Sequence, residues 1–569
     1  MKKIKLLIVF CLILKSAFAQ IQDFVWAKRF GEISDDGGKA ITVDKNGNVY
    51  STGYFNGATD FDPDAGTFIL NAIGGSDIFI SKLDANGNFL WAKSMGGISN
   101  EEGSSIAVDE QGNVYSTGIF SNTIDLDPGI GIANFSSFGN SDFYISKLDS
   151  AGNFLWAKQI GGISRDFSRS IAIDFTGNVV LTGGFNGTVD FDPDTLINSP
   201  LTTNGSGDVF VLKLTSAGEK IWAVNMGGGV FDYGYSLALD PFGNIYTTGV
   251  YQGQADFDPG ILVNNLNSVQ LGADIFVSKL NASGNFVWAK SLGGIADEYG
   301  LGIAVDKFQN VYTTGVFGLT ADFDPGVSTF DLVSGGFEDI FVSKLDVFGN
   351  FVWAKSFKGT NLTPDAGNSI SLDTSGNVYT TGYYQATLDF DPSLGIFNLT
   401  SAGGADVFIS KLNANGDFIW AKSFGGSSSD YANSIYADKK RSILTTGTFG
   451  GVADFDPDST VFNLTAFGIN NDAFVHKLGS ATVGLSEFEF DNQLTIYPNP
   501  FNDILTLSIP ENTPNADLLV YNSQGSLVYR KMCESGTNEI NLSTLSNGLY
   551  LIRVKSENKI SKLAKFIKK

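Results

Sequence analysis

Thiols and imidazoles are nearly absent from these 569 residues. Of the two cysteines, Cys11 lies in the N-terminal leader and leaves Cys533 alone in the rest of the chain. One thiol forms neither an intramolecular disulfide nor a thiolate metal cluster, so Cys533 is expected to pack as a small hydrophobe. His476 is the single histidine. A His-x-x-x-His zinc site therefore has no second ligand, and a Ser–His–Asp triad would rest on one strand position that the other repeats fill with Ser or Leu. No G-x-x-x-x-G-K-[ST] phosphate loop is present. Amphipathic helical periodicity is missing from the repeats, and past the leader no apolar run reaches membrane-spanning length. No catalytic residue is assigned.

Positive charge is also scarce. The net charge is −23; the leader contributes +4 and residues 494–569 contribute +3, which leaves −30 for the segment between them. Such a surface repels a phosphate backbone, so no nucleic-acid partner is expected, whereas cations, cationic surfaces and neutral polysaccharides stay open.

The leader reads as a signal peptide over residues 1–19. Met1-Lys2-Lys3-Ile4-Lys5 is a basic start, Leu6 to Leu14 an apolar run, and Ala17-Phe18-Ala19 a small-residue site with cleavage expected between Ala19 and Gln20. The apolar run is too short to span a bilayer.

What the chain has in quantity is repetition. All seven tryptophans, Trp26, Trp91, Trp156, Trp222, Trp288, Trp353 and Trp420, sit in copies of Gly-Asn-Phe-Leu-Trp-Ala-Lys, spaced by 65, 65, 66, 66, 65 and 67 residues. A fixed period of this length marks a repeat architecture. Within each period the order is constant. An alternating run such as Ser105-Ile106-Ala107-Val108-Asp109 is followed by a Gly-Asn turn and a second run, Val114-Tyr115-Ser116-Thr117-Gly118. A third run, as in Asp77 to Leu83, passes through Asn86-Gly87-Asn88 into the tryptophan strand. Asn-Gly between alternating runs is a hairpin signal, because Gly accepts the positive φ of the turn. Four antiparallel strands repeated seven times predict an all-β fold, a seven-bladed β-propeller over residues 20–478. The Phe24-Val25-Trp26-Ala27-Lys28 strand has no third strand before it, and Asp472 to Leu478 has no tryptophan strand after it. The first segment is thus expected to complete the last blade. The Ser-Ile-Ala-Val-Asp, Gly-Asn-Val-Tyr and Thr-Gly runs resemble the bacterial seven-bladed β-propeller (SBBP) repeats, roughly from Asp23 to Leu478. Fold follows from that resemblance far more than function.

The second-to-third connection spans 24 or 25 residues in every repeat, as from Gly53 to Asp77 or Gly183 to Asp208. An invariant length with apolar stretches predicts an added short strand or hairpin, and the face carrying these connections is where binding is sought. Asp-Phe-Asp-Pro, once Asp-Leu-Asp-Pro, recurs there and supplies candidate calcium ligands: Asp60, Asp62, Asp125, Asp127, Asp190, Asp192, Asp256, Asp258, Asp322, Asp324, Asp389, Asp391, Asp454 and Asp456. Asp before Pro equally makes an Asx-turn. A second acid precedes each first strand, at Asp36, Glu101, Asp166, Asp232, Glu298, Asp365 and Asp430. The main departure from the repeat is Arg165-Asp166-Phe167-Ser168-Arg169, with Phe231 and Tyr233 one repeat later. Arg165, Phe167, Arg169, Phe231 and Tyr233 form the candidate ligand site, suited to a carboxylate or a sugar. The leading expectation is a non-catalytic binding or scaffold protein with an extracellular polymer or protein partner. The competing class is a polysaccharide-active enzyme using paired Asp/Glu on the long-loop face.

Residues 479–493 read as a linker. From 494 to 569 short alternating strands predict a small Ig-like β-sandwich. Tyr497-Pro498-Asn499-Pro500, Val520-Tyr521, Leu545-Ser546-Asn547-Gly548-Leu549-Tyr550 and the basic end from Lys565 resemble the type A C-terminal sorting domain of the type IX secretion system of Bacteroidota. The resemblance implies handling by that machinery and a secreted or outer-membrane surface location.

Overall fold

The computed structural model describes residues 22–569 apart from 195, 271, 360–362, 440–441, 459, 481–494, 510–515, 523–526, 557–558 and 561–563. The expected signal peptide, with Ala19 and Gln20, lies outside the described residues, as does nearly all of the expected linker. Two compact units are present: Phe24–Leu478, and a second made of the terminal segments.

In the large unit each repeat folds into four antiparallel strands laid down in sequence order. After β1 (Gln22–Phe30), the first repeat comprises β2 (Gly37–Val43), β3 (Val49–Asp60), β4 (Ile69–Leu83) and β5 (Phe89–Gly97). The next comprises β6 (Glu102–Val108), β7 (Val114–Phe120), the short β8 (Thr123–Asp125) and β9 (Asn134–Ser136), then β10 (Asp142–Leu148) and β11 (Phe154–Ile160). The turns explain the register. Asp44 Oδ1 accepts the N–H groups of Asn46 and Asn48, Asn48 Nδ2 donates to Asp44 Oδ2, and Gly47 takes φ 93°. Any side chain at Gly47 would be strained in that left-handed conformation. Asp84 and Asn88 build the third-to-fourth turn in the same way.

The long connection contains the added hairpin that its length predicts. β8 and β9 pair with each other, and β8 pairs with the end of the preceding repeat's fourth strand, Gly96 opposite Asp125 and Gly97 opposite Ile124. In five of the seven repeats the hairpin pairs in this way and is a strap from one repeat to the one before. The tryptophans make a second tie. Trp91 Nε1 and Lys82 Nζ both donate to Ser150 O in the next repeat's turn, at 3.2 and 2.9 Å. Trp91 also meets Tyr50 edge-on at 6.2 Å. Tryptophan here packs one repeat against the next, as expected from its even distribution.

The first strands are the inner edge of each sheet and pack against one another from repeat to repeat, the last against the first. Seryl hydroxyls stitch this inner wall: Ser105 Oγ accepts Ile171 N, and Ser434 Oγ accepts Ile41 N. The N-terminal β1 lies outermost in the sheet formed by Tyr431–Ala437, Ile443–Gly450 and Asn471–Ser480.

The C-terminal segment forms two small sheets around one core that includes Leu505, Leu507, Leu518, Val520, Ile540, Ile552 and Phe566. Cys533 is a buried free thiol in that core, raised in pKa chiefly by burial.

Candidate functional site

First strands open at the same register in every repeat, and the residues there surround the inner rim. Glu102 faces Ile119, Phe167 faces Gly184, Tyr233 faces Val250, Tyr299 faces Val316 and Tyr431 faces Thr448. Two positions on, a β-bulge re-aims one side chain per repeat; in the third repeat it is Arg169, between Ser168 and Ser170.

The structure brings the candidate ligand residues together. The guanidinium carbons of Arg165 and Arg169 lie 5.5 and 5.4 Å from the centroid of the Phe167 ring. Tyr233 meets Phe167 edge-on at 5.1 Å and stacks on Phe231 at 5.7 Å and 24°. Glu102, Ser104 and Ile119 of the preceding repeat complete a small cleft with Arg165, Phe167 and Arg169. Phe167 itself is buried and acts as a wedge; the accessible aromatic faces belong to half-buried Phe231 and Tyr233. Gly184 makes the nesting feasible, since a Cβ there would lie 2.4 Å from Tyr233 Cδ1 and 2.7 Å from Phe167 Cζ. The signal was in the sequence: Thr182-Gly183-Gly184 alone has glycine where the other repeats carry Tyr, Ile, Val or Thr. Glu102 and Lys39 escape sequence reading because they lie 63 and 126 residues before Arg165.

The rim is electrically uneven. On one side Lys39 Nζ sits 3.4 Å from Glu102 Oε2, and Arg169 is 3.9 Å from Glu102 Oε1. Burial raises the Tyr235 hydroxyl to about 12, opposed by the Arg169 charge. Further round, Tyr299 is raised by burial and by the charges of Asp297 and Glu338, and Glu338 by burial and Asp297.

The acidic motifs on the long connections are committed to backbone. In every repeat the first Asp of Asp-Phe-Asp-Pro accepts two N–H groups on one oxygen. Asp60 Oδ1 takes Asp62 N and Phe68 N, and Asp125, Asp190, Asp256, Asp322, Asp389 and Asp454 do the same. The second Asp caps the next turn, as Asp127 Oδ1 does with Gly129 N at 2.8 Å and Asp258 Oδ1 with Gly260 N. Asp62, Asp192, Asp324, Asp391 and Asp456 are placed alike. The intervening residue, Phe61 or its equivalents, is wholly buried. Among the described residues no group of three or more His, Cys, Asp or Glu is placed to hold a metal ion.

The second acids are not on exposed loops. Asp36, Glu101, Asp166, Asp232, Glu298, Asp365 and Asp430 are buried in the seams between repeats. Asp166 accepts Gly162 N from the end of the preceding tryptophan segment at 2.6 Å and Asn186 N from just past its own second strand at 2.9 Å. Each shares its seam with the acid that opens the third strand. A Cβ on Gly227 would touch both carboxyls, 2.6 Å from Asp208 Oδ1 and 2.9 Å from Asp232 Oδ2. Desolvation pushes these acids up, to about 6 for Asp208, 7 for Asp232, 7 for Asp274 and 8 for Glu298. Close carboxyl pairs thus exist, but closed off from any substrate.

His476 is buried between Phe24 and Phe424, with ring centroids 5.7 and 4.3 Å away, and burial lowers it to about 3. It is a neutral packing group.

In the C-terminal segment the sorting-motif residues converge. Asn499 Nδ2 donates to Lys565 O at 2.7 Å and Asn499 Oδ1 accepts Ile567 N, so the Tyr497-Pro498-Asn499-Pro500 turn is held to the last strand. Gly548 pairs with Lys568 opposite it, and Tyr550 Oη donates to Ser546 O.

Residues 495–569 match the secretion system C-terminal sorting domain, and residues 25–62 and 155–184 match the SBBP β-propeller repeat. An uncharacterized WD repeat-containing protein, L264, of Acanthamoeba polyphaga mimivirus is 25% identical over 505 residues, 75% of this chain and 36% of that protein. The chain thus spans about a third of that relative. The WD40 domain of Neurospora crassa Pan2 aligns at a TM-score of 0.39 and 8% identity, over 83% of this chain and 99% of that one. PorZ, a surface component of the type-IX secretion system of Porphyromonas gingivalis, aligns at 0.28 and 13%, over 95% and 75%. Among the described residues no helix is long and apolar enough to cross a membrane. The chain carries SBBP-type β-propeller repeats followed by a type IX C-terminal sorting domain, and is a secreted or outer-membrane-surface protein.

Proposed function

We propose that residues 20–478 form a closed seven-bladed propeller, completed by the N-terminal strand, that acts as a non-catalytic binding protein outside the cell. The sorting domain is its address, recognised by the secretion machinery. The partner is an extracellular polymer or protein held at the inner rim on the long-connection face. The observation that carries this reading is the convergence of Arg165, Phe167, Arg169, Phe231 and Tyr233, with two arginines at positions where no other repeat carries one. A binding role is supported over hydrolysis because the close carboxyl pairs are buried. Binding of the full secreted chain to a glycan array, repeated with Arg165→Gln and Tyr233→Ala, tests it. Loss of signal in both variants is expected. Equal signal in the variants, or release of reducing sugar that a single Asp→Asn change abolishes, would sink it.

A further inference from the structure

We propose that the rim cleft takes a single carboxylate carried on a sugar ring, such as a terminal uronic acid, rather than a polyanion. The inference rests on the rim being the binding site and adds the ligand's chemistry.

Three observations carry it. First, Arg165 is an exposed guanidinium with no carboxylate within ion-pair distance among the described residues, in a chain with 60 acids and 37 bases. Among the described residues Arg169 has only Glu102 within ion-pair distance, at 3.9 Å, and Lys39 stands closer to the same carboxylate at 3.4 Å. Uncommitted arginine in so acidic a protein offers a planar fork that matches a carboxylate. Second, both guanidiniums are held over the Phe167 ring, and a chain bulge fixes the direction of Arg169. Held groups lose less entropy when a ligand arrives. Third, the open surface beside the fork is the Phe231–Tyr233 pair. Such ring faces, with a hydroxyl at one edge, suit the C–H face and hydroxyls of a pyranose.

Charge then sets the size of the anion. The segment between the leader and residue 494 carries −30, and Asp297 and Glu338 stand two repeats further round. A chain of repeated carboxylates following the rim past the fork meets like charge. One acidic residue at the end of a neutral glycan does not. A peptide C-terminus shares the carboxylate but makes no use of the paired ring faces.

The test is a calorimetric titration of the full secreted chain with methyl glucuronide, methyl glucoside and a poly-uronate at low and high salt. The glucuronide is expected to bind at least about tenfold more tightly than the glucoside and to weaken with salt. Arg165→Gln and Arg169→Gln should each remove that preference, while Lys307→Gln, at an exposed position in a first-to-second-strand turn, keeps it. Thermal melts of each variant separate loss of the site from loss of the fold. Equal affinity for glucuronide and glucoside, or tighter binding per residue by the poly-uronate, would overturn the ligand class while leaving the rim as the site. Glucuronide binding that survives both arginine changes would place the site elsewhere. No saccharide binding, with capture of a free but not an amidated peptide C-terminus, would replace the sugar by a peptide.

Discussion

The seam between the last and first repeats holds a guanidinium against its third-strand acid. There Arg29 Nη1 stands 3.0 Å from Asp472 Oδ2, and the seam's second acid is Asp36. In the corresponding place Gln159 and Asn225 donate amide N–H groups to Asp142 and Asp208, and Ser291 donates a hydroxyl to Asp274. At these three covalently continuous seams the side-chain donors to the third-strand acid are neutral, and at a fourth the Lys358 charge lowers Asp339, whereas the seam closed without a peptide bond holds a guanidinium directly on Asp472. Neutral donors suffice at the Asp142, Asp208 and Asp274 seams, where the chain itself joins the repeats. Where only strand pairing joins them, a charge-assisted hydrogen bond is added.

The comparison can be broken most severely by removing the strand. A chain lacking residues 22–30 is expected to lose its single cooperative melt, read by differential scanning calorimetry; an unchanged transition would mean the ring does not depend on that seam. The next largest effect is pH. The seam acids are raised in the folded state to about 6 to 8. Their stability contribution is complete below their unfolded pKa near 4 and is lost as pH rises through those folded values. The melting temperature should therefore fall between pH 5 and pH 9, and Glu298→Gln should flatten the decline; a melt that rises over this window would contradict the assignment. Third, Arg29→Met leaves Asp472 without its charged partner and should cost about 2 kcal/mol, a figure reduced because Arg29 is partly exposed. Urea unfolding measures it, with Ser291→Ala as the smaller counterpart in a neutral seam. Fourth, Trp353→Phe removes the 3.3 Å hydrogen bond to Ala414 O and should cost about 1 kcal/mol in the same experiment. Smallest of all, calcium against chelator should move the melt by less than about 1 °C, because Asp60 and its counterparts already serve backbone N–H groups.

Hairpins, tryptophan packing and the added strand in the long connection were legible because each rests on local spacing. Asp44 and Gly47 make a turn wherever they occur, and a constant 24 or 25 residues leaves room for a hairpin of fixed size. The Arg165–Tyr233 cluster was legible as a break in repetition. The burial of Asp36 and its counterparts was not. Their partners are backbone N–H groups, of Glu32 and Asn56 for Asp36, of Gly97 for Glu101 and of Gly162 and Asn186 for Asp166, and a backbone donor leaves no mark in residue type. Glu102 and Lys39 stayed hidden because only assembly of neighbouring first strands brings them to Arg165.

The pairing of β1 with the last repeat also sets an order of events. Arg29 and Asp472 are 443 positions apart, against about 65 for neighbouring repeats. Joining such distant ends adds only about 1.7 kcal/mol of chain entropy over joining neighbours, because that cost grows with the logarithm of length. In time the difference is larger. The strand synthesised first has no mate until nearly the whole array exists, so contacts of the longest range arrive last. A nascent array can form repeat after repeat and still present two unsatisfied edges until its first strand meets the sheet of its last repeat.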